Sequence, residues 1–161
     1  MPKALPWFSA SAAIVAVDQL VKWIFLSKFV PGERLEVTGF FNLVLVFNKG
    51  AAFSFLADAP GWQTPVLAAV AIAASAVISV LILKNKNKNL FCSGLALILG
   101  GAIGNLIDRL RFGHVVDFLD FHAMGWHWPA FNVADAAITL GAAVLILEGF
   151  ASRERRPGAA S

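Results

Sequence analysis

The sequence has few charged residues and a single cysteine. Only 14% of its 161 residues are charged, whereas a soluble domain usually carries about 25%. Its hydrophobic fraction of 58% excludes intrinsic disorder and argues against an ordinary soluble domain. Tyrosine is absent, and the lone Cys92 excludes both an intrachain disulfide and a cysteine-based metal cluster. The length predicts a single domain spanning 1–161, because a domain averages about 150 residues.

Four long apolar stretches dominate the chain. A bilayer core about 30 Å thick requires roughly 17–25 helical residues, and each stretch has that length. We therefore predict an α-helical integral membrane protein with four transmembrane helices. The predicted helices are 5–26, 65–83, 90–107 and 131–150. The first contains Asp18 and Lys22 and is too long for a cleaved signal peptide, so we expect it to be retained.

Lysine and arginine predict the orientation of these helices. The segments 1–4, 84–89 and 151–161 hold seven of these residues, whereas the longer segments 30–64 and 108–130 hold four. The positive-inside rule then puts both termini in the cytoplasm and the two long segments outside it. The net charge of +3 is on this view mostly a signal of topology, and no nucleic-acid partner is expected.

The first outer segment has a pattern typical of strands. In residues 40–55, apolar and β-branched runs flank the turn-type sequence Asn48-Lys49-Gly50. We therefore predict a small extracytoplasmic β-sheet and loop region beside the four helices.

Polar residues gather near the outer ends of the predicted helices. With a rise of about 1.5 Å per residue, Asp18 lies about 20 Å into the first helix and Lys22 lies one turn further. The outer ends of the third and fourth helices carry Asn105, Asp108, Arg109, Asn132 and Asp135. Because a charge inside a bilayer is costly, a cluster of polar groups at one depth indicates a functional site.

Several of these residues have purely structural interpretations as well. Asp18 and Lys22 have the i, i+4 spacing of a structural ion pair. The adjacent Asp108 and Arg109 fit a solvated helix end or a structural clamp, and Asn48 fits a simple turn former.

Two further features have alternative interpretations. Asp120 is either a rival to the nearby Asp117 or a surface residue. Gly100 and Gly104 form a small-xxx-small step that allows another helix to approach closely.

The histidines offer the competing hypothesis of a metalloprotease. His114, His122 and His127 lack the H-E-x-x-H spacing or a similar ligand pattern. We therefore predict no metal and no other cofactor, and chelator sensitivity is the observation that separates the two hypotheses.

Asp117 and Asp135 suggest the chemistry of the predicted site. Two carboxylates brought together cannot both ionise comfortably, so one keeps a proton and the pair provides an acid and a base. Such a pair can activate water and protonate a leaving amine, as peptide hydrolysis requires. The sequence leaves open whether the two side chains meet.

Two other classes of membrane protein compete with an enzyme. A transporter or channel subunit needs polar residues through both leaflets, but the second predicted helix has no charge. A structural scaffold subunit packed through Gly100 and Gly104 would leave the polar cluster unexplained.

Five motifs follow one another along the chain. They are Asp18-Gln19-x-x-Lys22, Asn48-x-Gly50-Ala51-Ala52-Phe53, Gly100-Gly101-x-x-Gly104-Asn105-x-x-Asp108-Arg109, Val115-Val116-Asp117-Phe118 and Phe131-Asn132-x-Ala134-Asp135. Taken together and in this order, they resemble the motifs of the bacterial lipoprotein signal peptidases, the signal peptidase II family. The resemblance covers about residues 4–150.

The resemblance implies an intramembrane aspartyl protease of the bacterial inner membrane. Its substrates would be prolipoproteins that carry a diacylglyceryl group on a cysteine, and cleavage would occur just before that cysteine. Asp117 and Asp135 would be the catalytic dyad near the periplasmic face. The supporting or substrate-contacting residues would be Asp18, Lys22, Asn48, Gly50, Asn105, Asp108, Arg109 and Asn132.

The resemblance also implies partners and a moving element. The partners would be the diacylated prolipoprotein, membrane lipids and the inhibitory cyclic peptide globomycin, and the enzyme is expected to be a monomer. An extramembrane β-cradle and a mobile periplasmic helix would correspond to 30–64.

Overall fold

The computed structural model describes residues 3–50 and 62–154, with side chains to residue 151. Residues 51–61 therefore lie outside the described residues, and with them the second apolar run predicted to follow Asn48-Lys49-Gly50. The same holds for the end of the tail, 155–161.

The prediction of four membrane-length helices is confirmed. The helices are α1 (Leu5–Lys28), α2 (Gln63–Asn85), α3 (Asn89–Phe112) and α4 (Val133–Glu154), and each has a stretch long and apolar enough to cross a bilayer. Many of their large apolar side chains, such as Trp23, Val70 and Leu147, are exposed, as a lipid-facing surface requires. The chain is thus a multi-pass membrane protein.

The predicted end of the third helix was wrong. Helix α3 continues from the predicted 107 to Phe112 and stops at Gly113, whose φ of 75° gives a left-handed cap. The N–H of Gly113 donates to the carbonyl of Arg109. Asp108 and Arg109 therefore lie within the helix, at the outer end where the sequence places them, and the outer segment begins after Phe112 and not at 108. The hydropathy pattern ended too early because these polar side chains are held by the protein.

Helix α3 is the centre of the bundle and packs along α1, α2 and α4. Its glycines allow the closest approaches. A Cβ added at Gly100 would lie 2.7 Å from Cβ of Ile14, and one at Gly104 would lie 2.7 Å from Oδ2 of Asp18. The close helix contact predicted from this small-xxx-small step is confirmed, and it brings α1 against α3 at the level of Asp18.

The four described strands form one antiparallel sheet in the order β1 (Arg34–Thr38), β2 (Phe41–Asn48), β3 (Val115–Ala123) and β4 (Trp126–His127). The predicted small sheet is therefore confirmed, with β2 in the predicted run and β3 and β4 beyond it. Leu45, Val116 and Phe118 pack against the end of α1, where the rings of Phe25 and Phe118 stack 4.4 Å apart. The sheet is thereby held beside the polar ends of α1, α3 and α4.

The register of β2 against β3 shifts once along the pair. Asn42 pairs with Asp120 and Leu43 with Leu119, but Val46 then pairs with Asp117. Two residues of β2 thus oppose one residue of β3, as in a β-bulge. Since a one-residue slip exchanges the two faces of a strand, the bulge puts Asn48 on the same face as Asp117.

Candidate active site

A buried ion cluster lies where α1 meets α3. The ammonium Nζ of Lys22 lies 2.8 Å from Oδ2 of Asp18 and 2.8 Å from Oδ2 of Asp108. Lys22 is 2% exposed and both carboxylates are fully buried. Removing one partner from such a buried cluster leaves an uncompensated charge, which typically costs about 3–5 kcal/mol. The i, i+4 pair expected in the first helix is therefore present, with a second carboxylate added from α3.

The same carboxylates hold backbone groups of other elements. Oδ1 of Asp18 accepts the N–H of Ala134 at 2.9 Å, in the first turn of α4. Oδ2 of Asp108 accepts the N–H of Val116 at 3.1 Å, in β3. The amide of Gln19 donates to Oδ1 of Asp108 at 2.8 Å. Sequence reasoning missed Gln19 as a site residue, although its place beside Asp18 in the first motif was a signal.

Asn132 and Asp135 form a capping box at the start of α4. Oδ1 of Asn132 accepts the N–H of Asp135 at 2.9 Å, and Oδ2 of Asp135 accepts the N–H of Asn132 at 3.3 Å. The spacing of three residues between Asn132 and Asp135 is the sequence signal for such a cap. The cap puts the Asp135 carboxylate in the first turn, at the positive end of the helix dipole.

The side chain of Asn132 also connects the carboxylate of Asp117 to the backbone of Asp135. Its Nδ2 donates to Oδ1 of Asp117 at 2.7 Å, while its Oδ1 is occupied by the N–H of Asp135. Because a backbone N–H can only donate, the amide orientation of Asn132 is determined by chemistry. The structure therefore brings Asp117 and Asp135 together, which the sequence left open.

Asn105 links this pair to the buried ion cluster. Nζ of Lys22 donates to its Oδ1 at 2.9 Å, so Nδ2 of Asn105 is left to donate to Oδ1 of Asp135 at 2.7 Å. An ammonium can only donate, so it determines the orientation of the Asn105 amide as well. Lys22 thus holds Asp135 in place through Asn105.

Asn48 is more than a turn former. Its Nδ2 donates to Oδ2 of Asp117 at 3.1 Å, across the bulge described above. Its Oδ1 accepts the N–H of Gly50 at 2.9 Å, and the carbonyl of Gly50 accepts a hydrogen bond from Nη2 of Arg109 at 3.1 Å. The loop after β2 is thereby tied to α3 beside the carboxylates.

The environment of Asp117 favours its protonated form. Burial, followed by the nearby charge of Asp135, raises the pKa of Asp117 to about 7. Hydrogen bonds from Asn48 and Asn132 partly oppose that rise. Near neutral pH the pair therefore holds one proton that Asp117 can donate, and one carboxylate that can accept another.

A pocket of about 610 Å³ opens beside the carboxylates. Its polar end holds Asn48, Asn105, Arg109 and Asp135, and one wall is the segment 128–131. The pocket then follows α4 from Asp135 to Ala143, which is about 12 Å at the helical rise. The far end is apolar, with Ile138, Leu140 and Ala143. A long apolar group could therefore lie along α4 with its polar end at the carboxylates.

Asp120 differs from the surface residue considered above. It is 5% exposed, and its carboxylate accepts hydrogen bonds from Nδ2 of Asn42 at 2.8 Å and from Nδ1 of His127 at 2.9 Å. Burial acts to raise its pKa, but these two hydrogen bonds hold the pKa of Asp120 below its usual value. Of the two alternatives that the sequence left open for Asp120, the surface position was therefore wrong.

Among residues 3–50 and 62–151, no three side chains of His, Cys, Asp or Glu form a group that could hold a metal ion. His127 is bonded to Asp120, and the ring of His114 lies 4.3 Å from that of Phe47. The carboxylate of Asp135 in the pocket accepts hydrogen bonds from Asn105 and Asn132, and Lys22 is paired with Asp18 and Asp108.

Fold and site together define a class: a multi-pass membrane protein with a pair of carboxylates, one of which lines an apolar pocket. Such a pair can carry out acid–base hydrolysis. The chain belongs to the signal peptidase (SPase) II family, whose model matches residues 10–151. It is therefore a membrane-embedded peptidase of the aspartic class.

Curated relatives carry the same name as the family. The chain is 53% identical over 143 residues to the lipoprotein signal peptidase of Paraburkholderia phytofirmans, covering 89% of this chain and 83% of that protein. It is 55% identical over 144 residues to the lipoprotein signal peptidase of a Janthinobacterium species, covering 89% and 87%.

The fold also matches solved bacterial membrane enzymes. One structure, determined by the in meso method at 2.3 Å resolution, superposes with a TM-score of 0.84 and 26% identity, covering 97% of this chain and 94% of that one. A second, at 1.9 Å, gives a TM-score of 0.77 and 28% identity, covering 89% and 91%.

Proposed function

We propose that this protein removes the signal peptide from diacylglyceryl-modified prolipoproteins, cutting just before the lipidated cysteine, with Asp117 and Asp135 as its catalytic dyad. The observation that carries the proposal is the bridge from Nδ2 of Asn132 to Asp117, made by the residue that also caps Asp135. It holds the buried carboxylate of Asp117 beside Asp135, which lines the polar end of an apolar pocket.

In the proposed reaction each carboxylate has one task. Asp135 accepts a proton from a water molecule, whose oxygen attacks the scissile carbonyl carbon. Asp117 donates its proton to the carbonyl oxygen as the tetrahedral intermediate forms. The intermediate, a geminal diol, then collapses. The C–N bond breaks, the proton held by Asp135 passes to the leaving amine, and one hydroxyl returns its proton to Asp117 as the new carboxyl group forms. The pKa of Asp117, about 7, favours its part as the acid.

The pocket fits a substrate that is itself embedded in a membrane. The signal peptide is an apolar helix, and the diacylglyceryl group adds acyl chains. Both would lie along the apolar part of the pocket beside Ile138, Leu140 and Ala143, with the scissile bond at the polar end. Arg109 lines that end, and its Nε has no hydrogen-bond partner among the described residues.

The remaining predicted site residues have supporting parts in this proposal. Lys22 and Asn105 hold Asp135, while Asn48 and Asn132 hold Asp117. The other four attach three segments to the bundle: the loop after β2, the start of β3 and the first turn of α4. These residues are Asp18, Gly50, Asp108 and Arg109.

The proposed setting is the bacterial inner membrane, with both termini in the cytoplasm and the carboxylates near the periplasmic face. There the acyl chains of a substrate and the surrounding membrane lipids would reach the pocket from the outer leaflet. We also propose that the protein acts as a monomer, and that the cyclic peptide globomycin inhibits it by occupying the same pocket.

The proposal is tested with purified protein in detergent and a diacylated prolipoprotein, with the released signal peptide measured by mass spectrometry. Wild-type protein should cleave, and Asp117→Asn and Asp135→Asn should each lose activity by at least about 10²-fold, because each removes an acid–base group. The double variant should resemble either single one, since paired groups fail together.

The matched control is Glu36→Gln, which changes an exposed carboxylate on β1 and should leave activity unchanged. Prolonged EDTA treatment should leave the wild-type rate unchanged as well. Near-normal cleavage by both aspartate variants would refute the dyad. Activity lost to EDTA and restored by zinc would instead favour the histidine hypothesis.

A further inference from the structure

Asp120 is a buried carboxylate to which the proposed reaction assigns no task. Side chains alternate along a strand, so Asp120 and Asp117 face opposite sides of β3. Asp120 therefore cannot join the catalytic pair without rearrangement of the strand. Its hydrogen bonds to Asn42 and His127, together with a lowered pKa, make it an ionised acceptor at neutral pH.

This carboxylate connects three strands. Asn42 lies directly opposite it on β2, and His127 lies on β4. Arg34 on β1 is 4.0 Å away, but its side chain is 57% exposed and adds little. Asp120 is thus a junction between the body of the sheet and its last strand.

The last strand, β4, is short and makes few backbone contacts. β4 consists of Trp126–His127 alone and pairs with β3 through two residue pairs. The turn before it contains Met124 and Gly125, both with positive φ. The hydrogen bonds between Asp120 and His127 involve an ionised acceptor. Such bonds are stronger than those between neutral groups, so they matter for this short strand.

The segment that follows His127 is a wall of the pocket. Residues 128–131 line it opposite α4. Backbone bonds to β3 hold both ends of this segment. Trp128 N–H donates to the carbonyl of Phe121 at its start, and at its end Phe131 exchanges backbone bonds with Phe118 and Leu119. The start of the wall, which directly follows His127, therefore depends on where His127 is anchored.

We propose that Asp120 and His127 form a clamp that positions the 128–131 wall and so determines how tightly the pocket holds its substrate. The inference rests on the proposed function for the identity of that substrate. Both are positioning residues: neither lines the pocket, and they act on binding through the wall. A loosened wall weakens substrate binding and leaves the carboxylate pair in place.

The kinetic test measures kcat and KM for the diacylated prolipoprotein. His127→Leu and Asp120→Ala should each raise KM about tenfold with kcat within about twofold, the pattern of lost uniform binding. His127→Asn should keep KM within about threefold, because its Nδ2 can take the place of Nδ1. The double variant of Asp120 and His127 should resemble the single ones, because the two side chains share one interaction.

The matched control is His122→Leu. The ring of His122 lies 4.9 Å from that of His127 across the same hairpin, so this variant removes the ring contact and leaves the hydrogen bond between Asp120 and His127 in place. Its KM should be unchanged. Should Asp120→Ala fail to fold because Asn42 loses its acceptor, the His127 variants carry the test, since the His127 side chain is 37% exposed.

A second measurement needs no substrate. Hydrogen exchange of the backbone amides of Trp128, Ala130 and Phe131 should be at least about tenfold faster in His127→Leu than in wild-type protein. It should be unchanged in His122→Leu. Unchanged exchange and an unchanged KM in the clamp variants would overturn the clamp, as would a loss of kcat at constant KM. A wild-type protein that cleaves no prolipoprotein but exchanges faster in His127→Leu would refute the proposed function alone.

Discussion

At the scale of single residues, the site depends on amides whose direction is imposed by their neighbours. Lys22 can only donate, so Asn105 must turn its NH2 group toward Asp135. The N–H of Asp135 can only donate, so Asn132 must turn its NH2 group toward Asp117. Each carboxylate therefore receives hydrogen bonds from fixed donors, and small changes at these donors should alter protonation.

Asn48→Ala should move the alkaline limb of the pH–activity profile upward. The side-chain Nδ2 of Asn48 donates a hydrogen bond that stabilises the ionised form of Asp117. Removing this donor raises the pKa of Asp117 further above about 7. Activity that depends on protonated Asp117 then persists to higher pH, by about half a unit or more, in a profile of kcat/KM. An upward shift of the acidic limb, with the alkaline limb unchanged, would mean that Asp117 works as the base.

Asp117→Asn should also change how stability depends on pH. The pKa of Asp117 is raised in the folded protein from 3.8 to about 7, so wild-type protein loses stability as the pH rises through that window. The shift corresponds to on the order of 4 kcal/mol. Relative to wild type, the Tm of the variant in detergent should therefore increase between about pH 4 and pH 7.

Glu36→Gln is again the control for that measurement, because Glu36 is exposed on β1. Its Tm should follow the wild-type curve at every pH. A difference between Asp117→Asn and wild type that does not depend on pH would contradict a raised pKa at Asp117.

At the scale of elements, the contact between α1 and α3 determines where the buried ions lie. Gly104 leaves room for the carboxylate of Asp18, which in turn accepts an N–H from the first turn of α4. A side chain of α1 such as Asp18 can lie this close to the backbone of α3 only where α3 has a small residue. Gly104 on α3 therefore permits the contact through which Asp18 of α1 also binds α4.

Gly104→Ala should lower the yield of folded protein and its Tm in detergent. The added Cβ would lie 2.7 Å from Oδ2 of Asp18, so the carboxylate must move away from Lys22 or from Ala134. Disturbing a buried charge pair costs up to about 3–5 kcal/mol. Gly149→Ala on α4 is the control, because nothing lies within 4 Å of its added Cβ. Equal yields and Tm values for the two variants would contradict this role of Gly104.

At the scale of the whole molecule, the polar groups share one end of the bundle. The end of α1, the end of α3, the start of α4 and the sheet all meet there. The sequence predicts that this end faces the periplasm, because lysine and arginine concentrate in 1–4, 84–89 and 151–161.

That orientation can be measured with cysteine labelling in intact cells. In a Cys92→Ser background, Met124→Cys should react with an impermeant reagent added outside, because Met124 is fully exposed in the turn before β4. Asn87→Cys, between α2 and α3, should react only after the cells are opened. The reverse pattern of labelling would invert the proposed topology.

Much of the architecture was predictable from local properties of the chain. Hydropathy predicted the four helices, and β-branched runs predicted the position of β2, because both depend on residues that are neighbours in sequence. Hydropathy failed at the end of α3, where Asp108 and Arg109 remain helical because their partners come from other elements. The catalytic role of Asp117 and Asp135 stays a prediction, although the structure brings them together.

The sequence by itself determined a membrane protein with its polar residues at one depth, since hydrophobicity and helical rise require nothing beyond the order of the residues. Only the tertiary structure decided which of those residues meet. The bulge in β2 turns Asn48 toward Asp117, and the alternation of β3 directs Asp120 to the other face, toward Asn42 and His127. Both outcomes depend on pairing between strands that are far apart in the chain, and a shift of one residue would reverse them.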